Sequence, residues 1–102
     1  MGNLFDHNKI TNIPSSLGNI ESLERLILNN NLIDDYLPES LNNLPNLDLI
    51  LLDYNINIKG KTLINVRDCS YYPPIKGNTY SLCESVDAIC KDESLQQCEE
   101  KN

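Results

Sequence analysis

The chain has 102 residues, 40% of them hydrophobic, and a formal net charge of −7. One domain is the expectation at this length, and no apolar run reaches the roughly 18 residues that a membrane span needs. The acidic balance leaves no basic stripe to meet phosphates, which excludes nucleic acid as a partner.

The opening, MGNLFDHNKI, has no apolar h-region and does not read as a signal peptide. Gly2 raises N-myristoylation, but Asp6 stands where that motif wants Ser or Thr. The stretch that organises the chain comes next, Leu23 to Pro38, reading LERLILNNNLIDDYLP. Its apolar residues Leu23, Leu26, Leu28, Ile33 and Leu37 fit neither a plain helix nor a plain strand. Such a switch of period describes a chain that enters a strand and turns sharply out of it.

The same pattern recurs. Leu17, Ile20 and Leu23 map onto Leu41, Leu44 and Leu47, each 24 residues later, as do Leu26 and Leu28 onto Ile50 and Leu52. Ile13-Pro14 maps onto Leu37-Pro38, and Asn8, Asn31 and Asn55 recur at 23 and 24. A fixed period of this size is a repeat signal. The chain enters it in mid-unit, with Asn3 and Phe5 where Leu26 and Leu28 stand later. Either the sequence is a C-terminal piece of a longer array, or it is a complete small protein with an open first edge.

The pattern resembles the leucine-rich repeat family, in the form LxxLxxLxLxxNxLxxxIPxxLxxL, over about residues 3–57. The IP-containing form looks like the extracellular repeats of plant-type receptors and polygalacturonase inhibitors. The resemblance implies an α/β solenoid, one coil per repeat, with short parallel strands on its concave side. It implies a non-catalytic binding module that recognises a protein or peptide, or a cell-wall glycan, and needs no cofactor. Residues 1–58 are then the repeats, and 59–102 a degenerate last coil with a cysteine-containing cap.

The unit has its own physics. Leu26 and Leu28 alternate on a strand and point into the core. Asn31 stands where the chain leaves the strand, and its amide can satisfy backbone groups left unpaired by the turn. Asn8, Asn31 and Asn55 then stack as a buried ladder, the alternative being ordinary surface turn residues. Residues flanking the core leucines face outward in three rows: Leu4, Ile27 and Leu51; Asp6, Asn29 and Asp53; Arg25 and Leu49. An apolar stripe beside a polar, partly acidic row is a candidate recognition face. Against it stands the reading that these side chains only stiffen the sheet.

From Ile56 the pattern decays. Leu63, Ile64 and Val66 suggest one more strand-like element before Cys69, and Tyr71-Tyr72-Pro73-Pro74 breaks regular structure. The two tyrosines either cover the open end of the core or form an exposed patch. The tail is predicted helical. Ser81 and Glu84 make a capping box, Leu82, Val86 and Ile89 fall on one face, and Asp92 opens a second short helix holding Leu95 and Cys98.

All four cysteines, Cys69, Cys83, Cys90 and Cys98, follow the repeats. Their even count points to two disulfides and an oxidising, extracellular or cell-surface setting. Zinc competes poorly, with no CxxC pair and the lone His7 far away in sequence. Free buried thiols are the other alternative. Cys83 and Cys90 in one unbroken helix would be about 10.5 Å apart, beyond the roughly 7 Å that a disulfide allows. Cys69 with Cys83 or Cys90, and the remainder with Cys98, is easier, and the three connectivities stay open. No catalytic motif is present, and the Asp34-Asp35 pair reads as a solvated turn. A structural role, closing the core of a larger ectodomain, is the alternative to binding.

Overall fold

Pro14 and Pro38 decide where the chain turns. Their rings hold φ at −65° and −66° with ψ extended. Each carbonyl accepts an amide from a leucine, Leu17 at 3.1 Å and Leu41 at 3.2 Å. The segments they open are short 3-10 turns, Ser15–Asn19 and Glu39–Asn43. The two turns pack together, and the Ser40 hydroxyl donates to the Ser15 carbonyl at 2.8 Å. Gly18 is required at this approach, because a Cβ there would lie 2.6 Å from Ser40 Oγ.

The computed structural model describes residues 8–99. Its strands in chain order are β1 (Arg25–Ile27), β2 (Asp34–Tyr36), β3 (Leu49–Leu51), β4 (Asn57–Lys61), β5 (Asp68–Ser70) and β6 (Ser81–Cys83). Odd strands form one sheet in the order β1-β3-β5, and even strands a second in the order β2-β4-β6. All four pairings are parallel. Parallel neighbours need a crossover. Here the crossover runs through the other sheet, so the chain lays strands on the two sheets alternately.

The register follows the leucine spacing. Leu26 lies opposite Ile50, and Ile50 opposite Cys69. Pairing continues beyond the strands, where Leu28 N–H donates to Leu51 O and Leu52 N–H to Ser70 O, both at 2.8 Å. Leu26, Leu28, Ile33, Ile50, Leu52, Ile58, Leu63, Val66, Tyr71 and Leu82 are buried in one cluster. Each such aliphatic side chain contributes about 1.5–3 kcal/mol by leaving water, so this cluster is the main source of stability.

Two expectations about architecture are overturned. An α/β solenoid with a helical cap does not form: no α-helix occurs among the described residues, and the body is two three-stranded parallel sheets without solenoid closure. The helical turns among the described residues are two 3-10 segments, one before β1 and one between β2 and β3. The tail is not helical either. Ser81–Cys83 is β6, paired with Lys59–Lys61, and of the supposed apolar face only Leu82 is buried, Val86 and Ile89 being exposed. Glu84 caps no helix. Its carboxylate accepts the Thr62 hydroxyl at 2.8 Å and the Asp92 amide. A helix as short as the tail allows is marginal alone, and pairing with β4 outweighs it. Asp92 does open a turn, accepting Ser94 N–H at 2.9 Å, but no helix follows.

The last strand of the first sheet is also displaced from its predicted place. Leu63 and Val66 are buried in loop conformation, Ile64 is exposed, and the strand is Asp68–Ser70. The boundary drawn at 58/59 runs through β4, whose two ends share one strand.

Candidate functional site

The outward face of the β1-β3-β5 sheet collects the predicted surface residues. Three rows cross it: Arg25, Leu49 and Asp68; Ile27, Leu51 and Ser70; and, just past the strands, Asn29, Asp53 and Tyr72. Arg25 is exposed, while Ile27, Leu49, Leu51, Asn29 and Asp53 are half-buried. Leu4 and Asp6 lie outside the described residues. Asp68, Ser70 and Tyr72 were not foreseen as members. The signal for them was Cys69, which takes the core place of Ile50, but the shorter spacing before it hid the alignment.

The polar row is pinned. Asn29 Oδ1 accepts Asp53 N–H at 3.0 Å. The Asp53 carboxylate accepts the Ser70 hydroxyl at 2.7 Å and Tyr72 N–H at 2.8 Å. At the other side of the face a basin of about 700 Å³ opens between Glu24, Arg25, Asp48, Leu49, Asp68 and Ile89. Arg67 closes part of it with a two-pronged ion pair to Asp48, at 2.6 and 3.1 Å. Its hydrogen bond holds the Asp48 carboxyl below the usual carboxylate range.

Behind the face, asparagines tie together segments more than twenty residues apart. Asn31 Oδ1 accepts the amides of Asn8 and Ile10, at 3.0 and 3.2 Å, and its Nδ2 donates to Leu28 O at 3.0 Å. Asn55 repeats this, accepting Ile33 N–H at 3.1 Å and donating to Leu28 O and Leu52 O at 2.9 and 3.0 Å. Asn31 and Asn55 are buried, while Asn8 is exposed. No third asparagine follows. The Tyr80 hydroxyl takes that place, accepting Asn55 N–H at 2.9 Å and donating toward Leu52 O and Tyr72 O, at 3.0 and 2.8 Å. Burial pushes its pKa up to about 12. Of the tyrosine pair expected to cover the core or stand exposed, Tyr71 does the first and Tyr72 the second.

The cysteines pair as Cys69–Cys90 and Cys83–Cys98, with Cα atoms 6.1 and 4.9 Å apart, and none is free. The first bond fastens the tail to β5 and the second to β6. Two such bonds fit a secreted or extracellular protein. Among the described residues no His, Cys, Asp and Glu group could hold a metal, and no helix is long and apolar enough to cross a membrane. Compared with family models, curated proteins and solved structures, the chain matches none of them.

Proposed function

We propose that the protein is a non-catalytic recognition module, acting outside the cell or at its surface, that binds a protein or peptide across the outward face of β1-β3-β5. One observation carries the reading. Three aliphatic residues of two paired strands, Ile27 of β1 and Leu49 and Leu51 of β3, stay partly exposed on one sheet face, framed by Arg25, Asp68 and Asp53. An apolar centre with a charged rim is the anatomy of an interface. The resemblance of residues 3–57 to leucine-rich repeats supports the same face, since that family binds through its parallel strands.

The test is a counter-screen. Peptides selected from a random library against the native protein should bind Ile27→Lys/Leu51→Lys at least about tenfold more weakly, a loss of about 1.4 kcal/mol. The thermal midpoint of the variant should match the native one. Selected peptides that bind both proteins equally would refute the assignment.

A second reading has its own support. The edge of β6 is closed by the Glu84–Gln97 bridge and by Cys83–Cys98. On that evidence the segment after β5 is a structural seal for the core, and the Ile27/Leu51 variant would then change nothing but surface charge.

A further inference from the structure

Tyr54 adopts a left-handed backbone, with φ at 63°. One unit earlier the equivalent place is held by Asn30, with φ at 59°. The equivalence is set by the ladder, in which Asn30 N–H donates to Asp53 O and Tyr54 N–H to Tyr72 O. Asparagine tolerates this conformation and a bulky ring does not. Backbone geometry therefore does not account for the tyrosine. Its ring is not core either, being 51% exposed, and Tyr72 beside it is 65% exposed.

Asp53 joins the two. It precedes Tyr54 in the chain, and its carboxylate accepts Tyr72 N–H and the Ser70 hydroxyl. Those bonds fix it and leave lone pairs open. Two carboxylates of the body have cations: Asp34 pairs with Lys59 at 3.1 Å and Asp48 with Arg67. Asp53 has no basic partner among the described residues. The molecule already shows what an aspartate and a tyrosine do together. Lys59 Nζ, while bound to Asp34, stands 5.7 Å from the centre of the Tyr36 ring, within cation–π range. The corner at Asp53 has the same side-chain types and no cation of its own.

We propose that Asp53, Tyr54 and Tyr72 form a subsite for an arginine side chain of the bound peptide. This rests on the recognition face proposed above and names what the ligand carries at one end of it. The guanidinium donates to the Asp53 carboxylate and lies against tyrosine, a pairing that its planar shape suits better than an ammonium. A net charge of −7 draws such a ligand in. The adjoining Ile27 and Leu51 take its aliphatic neighbour.

The experiment is a nuclear magnetic resonance titration of the intact, oxidised protein with acetyl-leucyl-arginine amide. Acetyl-leucyl-citrulline amide, the same shape without charge, is the control. The amides of Asn29, Asp53 and Tyr72 should move with arginine and not with citrulline, and the response should shrink in high salt. Tyr54→Asn should weaken arginine binding about fivefold while folding at least as well, because it restores the residue used at Asn30. Asp53→Asn should abolish the preference for arginine over citrulline. Equal response to both peptides, or unchanged affinity in Tyr54→Asn, overturns the subsite. If Ile27 and Leu51 respond to both peptides while the corner stays silent, the face stands and the subsite falls. Silence everywhere at millimolar peptide removes both.

Discussion

Tyr80 finishes a series that asparagine begins. Its hydroxyl faces the Asn55 amide and the Leu52 and Tyr72 carbonyls, so Tyr80→Phe leaves the buried Asn55 N–H without its acceptor, while the two carbonyls keep Asn55 Nδ2 and Tyr54 N–H. The expected cost is about 1–3 kcal/mol, read as a lower denaturant midpoint with unchanged slope. Asn55→Leu should destabilise by a comparable or larger amount despite adding apolar volume, because both its amide bonds and its acceptor are lost. Alkali tests the phenols together. Burial holds the Tyr80 pKa above its ordinary value of 10, at about 12, and raises Tyr71 further, with Glu84 and Asp92 adding to the effect. A raised pKa in the fold means that stability is intact below pH 10 and declines as pH climbs through about 12. Absorbance of tyrosinate should therefore rise in step with loss of structure, and Tyr80→Phe should flatten the decline. Tyr54→Asn should go the other way, raising stability by about 1 kcal/mol through relief of the left-handed ring-bearing residue.

The 3-10 turns and strands show how far local pattern carries. Leu26, Leu28, Ile50 and Leu52 were readable because the core rows repeat with a fixed step, and the structure stacks them under adjacent strands. The same step sets Arg25 against Leu49, Ile27 against Leu51 and Asn29 against Asp53. Helix in the tail was misread because Leu82, Val86 and Ile89 share a helical spacing that no tertiary contact uses; only strand pairing to β4 decides the issue, and that partner lies about twenty residues away. The place of β5 was misread for a related reason, the shortened link after Val66. Cys69–Cys90 was one of the pairings left open, and nothing local could select it. At the contact of the two turns, Gly18→Ala should cost about 1–3 kcal/mol from overpacking against Ser40, checked by its melting temperature. Pairing Gly18→Ala with Ser40→Gly should recover only part of the loss, since Oγ and Cβ of the serine are removed while its backbone oxygen, at 2.8 Å, stays.

The two sheets share one interior, so damage to it is not confined to a unit. Leu28→Asp places a charge in that interior and should abolish cooperative melting. The tail belongs to the same body. Each disulfide closes a loop, with separations of 21 and 15 residues, and removing either pair of cysteines should cost about 3 kcal/mol. Thiol titration of denatured protein from an oxidising host should find no reactive sulfhydryl. Two titratable thiols would mean that one bond had not formed.

Both covalent ties act on the last strand of a sheet, β5 through Cys69 and β6 through Cys83, and none reaches β1 or β2. The protein is therefore polarised, welded at one extremity and merely zipped at the other. Amide protons of β1 and β2 should exchange before those of β5 and β6, and a pulling force should unravel the molecule from its first strands inward until it meets the sulfur bonds.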